Sequence, residues 1–275
     1  MICRLCHSER LNNRDWGGIE CNDCKSINPS YLPSQQELSD HYLKDKSAYY
    51  SDYNQPKLER YSIRYLKFVK KYAQYGSLFD LGSASTPFPV FASKDGYKVT
   101  AGDINQVFQN NDGVNRITFN LNKPLERDHN LYQNFDIVTC FAVIEHTLNP
   151  KLTISNISKL VKPGGKIFIT MPNIGEWYDW FSLGGSRWFD PPGHLHIVSR
   201  KATILNFKQN NCQVLEHGVF ELNRIRFVAR YSILFIEGII GYIFKLFFNK
   251  SWLKMRNKNR TYGMGLSYFI FEKKY

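Results

Sequence analysis

Between Ser77 and Phe271 the apolar residues fall into short runs, and the stretches between those runs carry them at helical spacing. Ser77 to Gly82 reads as a strand, Pro87 to Lys94 as a helix, Tyr97 to Ala101 as a strand and Asn115 to Phe119 as a short strand. Phe135 to Phe141 is a near-continuous apolar run, the pattern of a strand covered on both faces. Asn149 to Val161 is helical and stops at Lys162-Pro163-Gly164-Gly165, before another buried strand from Lys166 to Met171. Ser199 to Asn211 reads as a helix, Cys212 to Glu221 and Gly265 to Phe271 as the last strands. Strands separated by helices predict an α/β fold: a Rossmann-like, doubly wound, mostly parallel sheet of seven strands. Upstream, Lys57 to Tyr75 places Tyr61, Tyr65, Phe68, Val69 and Tyr72 on a helical period.

Three units follow: a polar, cysteine-bearing module at 1–30, a Tyr- and charge-rich connector at 31–60, and an α/β domain at 61–275. At 275 residues, 43% hydrophobic and 22% charged, the chain supports a packed core and excludes global disorder. The net charge of +12 is concentrated: from Arg224 to Tyr275 eleven Lys/Arg face two acids. Such a region fits either an anionic partner or a solubilising face.

Four of the six cysteines lie in the first 24 residues as Cys3-x-x-Cys6 and Cys21-x-x-Cys24; Cys140 and Cys212 stand alone. This is not an evenly spread disulfide framework, so a reducing, cytoplasmic setting is expected, and Met1 to Cys6 lacks the apolar run of a signal peptide. Two CxxC knuckles can close a four-thiolate structural Zn2+ site, and a module of about 30 residues needs such a metal to fold. A redox pair or disulfides are the other readings of the same cysteines.

Leu78 to Phe88 follows a strand and opens a helix, with Asp80 and Gly82 at the turn. Gly82 permits a tight turn and close backbone approach to a ligand. About twenty residues on, Gly102-Asp103 ends the next strand, where a carboxylate can accept ribose hydroxyls. Phe135 to His146 ends a third buried strand, and ligands in such sheets bind where these strand ends converge.

In order and spacing these segments resemble the motifs of class I S-adenosylmethionine-dependent methyltransferases. Asp80 with Leu81-Gly82 resembles the glycine-rich motif, Asp103 the ribose-binding acid, and Leu160 to Ile167 the "LkPGG" turn. Phe135 to His146 resembles the "EH" stretch, and His194-Leu-His-Ile-Val-Ser199 the "HlhhfS" segment. The cysteine pairs with Asn28-Pro29, Glu37-Leu38 and Tyr42 resemble the zinc-ribbon lead-in of a subgroup linked to sugar and cell-envelope glycan modification. The resemblance spans about 3–222 and the last strand. It implies S-adenosylmethionine bound by Asp80, Gly82, Ala84, Asp103, Asn120, Phe141 and Ala142, and Zn2+ held by Cys3, Cys6, Cys21 and Cys24. Two positions depart from the pattern. The usual three glycines are Gly82, Ala84 and Thr86, and Asn120 stands where an acid often meets the adenine. A non-catalytic member that keeps the fold is therefore a third reading, beside enzymes acting on a glycan or on RNA or protein.

Methyl transfer to a hydroxyl needs alignment of the acceptor and a general base. His194 and His196 are the first candidates, with His146 beside them; a structural hydrogen bond is the other reading of each histidine. For Glu145-His146, orientation of the local loop is expected. The aromatic loop from Trp177 to Gly193 fits either stacking on a sugar or a lid packed on itself, and Asp190-Pro-Pro-Gly193 reads as a turn. Tyr231 to Phe248 is strongly apolar, lies in an insertion at about 225–260, and is followed by five cations. It carries Glu237 and Lys245 and is short for a span. It reads either as an interfacial helix on an anionic membrane, on the inner face, or as a buried helical subdomain or dimer contact. The expected partner is a sugar-nucleotide or glycan-type acceptor; nucleic acid is disfavoured, because in the ribbon Arg4, Arg10, Arg14 and Lys25 face Glu9, Asp15, Glu20 and Asp23.

Overall fold

The computed structural model describes residues 1–14, 17–49, 55–84, 86–104, 113–172, 189–220 and 266–275, with the side chains of 43–49 and Phe220 left aside. The insertion at 225–260 and the aromatic loop up to residue 188 lie outside the described residues.

The cysteine module forms an antiparallel three-stranded sheet of β1 (Leu11–Asn13), β2 (Gly18–Cys21) and β3 (Ile27–Pro29). The connector holds α1 (Gln35–Tyr49), and α2 (Gln55–Lys70) leads into the main domain. There the chain runs β4 (Ser77–Leu81), α3 (Phe88–Lys94), β5 (Lys98–Asp103), β6 (Asn115–Thr118), β7 (Phe135–Phe141), α4 (Pro150–Leu160), β8 (Val161–Pro172), α5 (Arg200–Gln209), β9 (Cys212–Phe220) and β10 (Leu266–Lys273). The seven strands stand in the order β6-β5-β4-β7-β8-β10-β9, parallel from β6 to β8, with β10 antiparallel to both its neighbours. Strand order reverses between β4 and β7, which is where an open α/β sheet leaves a crevice at its carboxyl edge.

Strand periodicity divides the core. Ile137, Phe168 and Ile270 point to one face and pack with Val69 of α2 and Phe88 and Ala92 of α3. Val138, Ile167, Ile169, Phe269 and Phe271 point to the other, with Ile154 and Ile157 of α4 and Phe207 of α5. Cys3, Leu5, Cys21 and Cys24 belong to this second cluster, so the ribbon shares its apolar interior with the sheet. Two helices start on the caps their sequences offer. The Asn149 side chain accepts the Leu152 N–H at 3.0 Å ahead of Pro150, and the Ser199 hydroxyl accepts the Ala202 N–H at 3.0 Å.

One boundary differs from expectation. Pairing of β8 begins at Val161, opposite Phe135, and then shifts register so that Ile137 faces Lys166. The Pro-Gly-Gly turn is a bulge inside the strand. Gly165 is required there because a Cβ would lie 2.6 Å from a Val161 methyl and 2.8 Å from the Asp136 carbonyl.

Candidate active site

One side of the crevice is built on the tips of β4 and β5. Asp80 is buried at the end of β4 and its carboxylate accepts the Thr139 hydroxyl at 2.6 Å. Burial pushes the carboxyl up to about 7, Asp103 adding to the shift and Thr139 opposing it. Gly82 follows at φ +67° and its N–H donates to the Gly102 carbonyl at 2.8 Å. The Ala84 N–H donates to a carboxylate oxygen of Asp103 at 3.0 Å, which ties the loop after β4 to the tip of β5. At the other side of the crevice the loop after β7 comes close: a Cβ on Gly82 would lie 2.4 Å from a Val143 methyl. Asn120 lies two residues beyond β6, its side-chain oxygen accepting the Asn122 N–H at 2.9 Å. Phe141 directs its ring toward α2 and α3, stacked on Tyr65 at 4.1 Å and edge-on to Phe88 at 5.2 Å.

Backbone strain gathers here. Ala84 (φ +41°) and Ala142 (φ +55°) occupy the left-handed region, which an alanine adopts at a cost of about 1–2 kcal/mol. The Ala142 N–H is held by the Thr170 carbonyl at 2.9 Å. Ala84→Gly should relieve its share and raise stability by about 0.5–1 kcal/mol, read as a higher urea midpoint. A lower midpoint would mean that the loop is not strained as drawn.

The second half of the site follows β7, where Ile144–His146 form a 3-10 turn. One donor atom each from Glu145, His146 and His194 lie within 4.8 Å of one another, and the rings of His146 and His194 are 4.6 Å apart. Nδ1 of His146 lies 2.8 Å from the Gly193 carbonyl and 2.7 Å from the Tyr42 hydroxyl, which itself donates to Gly193 at 2.9 Å. A carbonyl oxygen and a nitrogen lone pair would repel at that distance, so Nδ1 carries the proton and Nε2 the lone pair. Burial, with His194 next, pushes His146 down to about 3 and keeps it neutral at physiological pH. Turn residues Asp190 to Gly193 position His194, whose N–H donates to the Asp190 carbonyl at 3.2 Å.

His196 is placed differently from its neighbour. It is 0% exposed, neither ring nitrogen makes a hydrogen bond of normal geometry among the described residues, and burial pushes it down to about 3. His146 and His194 lie ring beside ring; His196 is sealed in the interior. The Glu145 carbonyl accepts the N–H groups of Leu195 and His196 at 2.9 and 3.1 Å, so the loop-orienting role expected for Glu145 belongs to its backbone. Its carboxyl oxygens are buried without a hydrogen bond among the described residues, and burial pushes the group up to about 8. Tyr42, 104 residues away in sequence, had no assigned role; its only signal was its place in the lead-in pattern.

These groups pull stability in opposite directions with pH. Asp80 and Glu145 hold their protons more tightly when folded, so their contribution is full below about 4 and is lost as pH rises through about 7 and 8. His146 and His196 have depressed values, so theirs is full above about 6.5 and is lost as pH falls toward about 3. Glu145→Gln should flatten the alkaline loss, raising stability at pH 8.5 by about 2 kcal/mol and leaving the acid limb in place. Urea titrations at pH 5, 6.5 and 8.5 would read this; an unchanged alkaline slope would contradict it.

The four ribbon cysteines are suited to a metal. Cys3 and Cys24 sulfurs lie 3.6 Å apart and Cys6 and Cys21 sulfurs 3.4 Å apart, none in a disulfide, and all four within 4.8 Å of one another. The edge of a tetrahedron of thiolates around zinc is about 3.8 Å. His7 (φ +60°) and Lys25 (φ +63°) follow the second cysteine of each knuckle, so the two halves turn alike. Among the described residues no helix is long and apolar enough to cross a membrane.

Comparison with known proteins gives a consistent family. A family model described as a methyltransferase domain matches residues 49–217, more than half of the chain. The mitochondrial ubiquinone biosynthesis O-methyltransferase of Dictyostelium discoideum is 37% identical over 105 residues, covering 35% of this chain and 32% of that protein. The chain thus spans about a third of the length of that curated relative. Among solved structures, the 1,6-didemethyltoxoflavin-N1-methyltransferase of Burkholderia thailandensis, with 1,6-didemethyltoxoflavin and S-adenosylhomocysteine bound, is 10% identical. It covers 97% of this chain and 100% of its own at a TM-score of 0.55. A protein from Pyrococcus horikoshii, 12% identical, covers 86% and 99% at 0.54. At these identities the structures establish the fold alone.

Proposed function

The chain belongs to the methyltransferase domain family, and we propose that it moves a methyl group from S-adenosylmethionine to a hydroxyl oxygen of a sugar or glycan precursor, using the His146–His194 pair. One observation carries the reading. The Gly82–Ala84 loop and the Asp103 carboxylate meet the loop bearing His146 across the β4/β7 crevice. When bound, S-adenosylmethionine supplies an electrophilic methyl on a sulfonium that is already a good leaving group. The remaining work falls to this chain. Asp103 binds the ribose hydroxyls, and the backbone at Gly82 and Ala84 lines the methionine end. Asn120 meets the adenine edge. His194 takes the acceptor proton, and the neutral His146, held in tautomer by Gly193 and Tyr42, orients the acceptor beside it. An oxygen acceptor agrees with the name of the Dictyostelium relative, and that name also favours a second reading, a phenolic hydroxyl.

Calorimetry with S-adenosylhomocysteine tests the cofactor half: micromolar binding is expected, weakened about 30-fold or more in Asp103→Ala. Methyl-labelled donor with a panel of nucleotide sugars and catechols tests the acceptor half. Label on a sugar, lost in His146→Ala, supports the first reading; label on the catechols alone supports the second. No binding of S-adenosylhomocysteine would leave a scaffold that keeps the fold. Contact of 231–260 with an anionic surface belongs to the same proposal, and failure to float with anionic vesicles would remove it.

A further inference from the structure

The strip from His194 to Ser199 has no regular structure of its own before α5 begins, so its position depends on what it is tied to. On one side it hangs from the active-site edge, through the Leu195 and His196 N–H groups on the Glu145 carbonyl. On the other it is fastened to the second cysteine knuckle. Ile197 and Ile27 exchange both backbone hydrogen bonds, at 2.9 and 3.0 Å. The Ser199 N–H donates to the Ser26 hydroxyl at 3.0 Å. The Ser199 hydroxyl donates to the Cys24 carbonyl while it caps α5. Ser26 in turn closes the knuckle, its carbonyl accepting the Cys21 N–H at 2.9 Å. Both serines are buried. One short strip, tied at Ser199 and Ile197 to the cysteine knuckle and at Leu195 and His196 to the Glu145 carbonyl, therefore joins the cysteine cluster to His194.

We infer that Ser26 and Ser199 are positioning residues, through which a metal on the four cysteines sets the place of His194 against His146. The four sulfurs bring the two knuckles to one point, and a metal there would fix the knuckles against each other. If the knuckle loosens, the Cys24 carbonyl and the Ser26 hydroxyl lose their fixed positions, and the buried N–H groups of Ile197 and Ser199 lose their acceptors. The cofactor tips of β4 and β5 make none of these bonds and keep their geometry. On this view the ribbon acts as a jig for the acceptor side of the crevice. The inference rests on the proposed function for its meaning, but its test does not use methyl transfer.

The full chain is loaded with zinc, the bound metal is counted, and hydrogen exchange is followed before and after chelation. Amides at 195–199 should exchange about tenfold faster once zinc is removed, with 78–82 and 99–103 unchanged. Ser26→Ala should reproduce the change with zinc still bound. It should also shift the His146 and His194 ring signals in NMR spectra, which a purely structural loss elsewhere would not move. Lys201→Ala, which removes only an exposed tie from Nζ to the Asp23 carbonyl, should leave both readouts unchanged. Failure to bind zinc, unchanged exchange at 195–199 after zinc removal, or equal loss of protection across the sheet would overturn the inference. S-adenosylhomocysteine binding, measured alongside, reports on the cofactor half separately.

Discussion

Gly82→Ala is expected to abolish S-adenosylhomocysteine binding and to lower folding stability by about 3 kcal/mol. Two separate causes add. At φ +67° an alanine sits in a conformation that costs about 1–2 kcal/mol, and here the space is also taken. The new Cβ would lie 2.4 and 2.9 Å from the two Val143 methyls. Valine is stiff at χ1 and cannot turn both methyls aside, so the loops after β4 and β7 would have to separate. That separation opens the crevice in which the cofactor reading places the methionine end. Val143→Ala in the Gly82→Ala background should recover the steric part and leave the φ cost. The double variant should therefore regain roughly half of the lost stability, measured by urea unfolding. A single variant that unfolds and binds like the parent would show that the close approach is not real.

Cys21→Ser should release the ribbon metal and lower stability by at least about 4 kcal/mol, a large share of the roughly 5–15 kcal/mol a domain has. Cys21 is 0% exposed and lies in the apolar cluster that also holds residues of β7, α4 and α5. A hydroxyl there is a poorer metal ligand and a buried polar group without a partner. The damage should therefore extend beyond the ribbon into the face of the sheet it covers. Metal counting and a thermal melt would check both parts. A variant that keeps one zinc per chain and the parental melting temperature would remove the four-cysteine site from consideration.

The local units of this fold were legible in the chain because their signals are short-range. The β7 run is apolar at every buried position except Thr139, so its limits, Phe135 and Phe141, are the same in sequence and structure. Asn149-Pro150 and Ser199 announce helix starts by their own chemistry. The cysteine spacing announces a four-sulfur cluster for the same reason. Gly82 and Asp103 stood out because a turn needing positive φ and an acid at a strand tip are local requirements too. Alternation of strands and helices then led to a mostly parallel sheet of seven strands.

What local pattern could not decide was which side chains meet. His194 and His196 differ by two positions and look alike in sequence. One lies against the His146 ring and the other is sealed in the interior, because the strip bearing them follows the Glu145 carbonyl and Ile27 instead of a period of its own. Tyr42 reaches His146 across 104 residues, and Ser199 reaches the cysteine knuckle across 175. The start of β8 moved to Val161 because the strand beside it, not the Pro-Gly-Gly turn, offered hydrogen bonds there. The ribbon read as a separate module, yet its cysteines share the core of the sheet. Spacing along the chain determined the elements, the glycine turn and the two cysteine knuckles, each of which depends on neighbours a few residues away. The pairing of His146 with His194 joins residues 48 apart, and its link to the cysteine cluster spans 175, separations that only the packed structure closes.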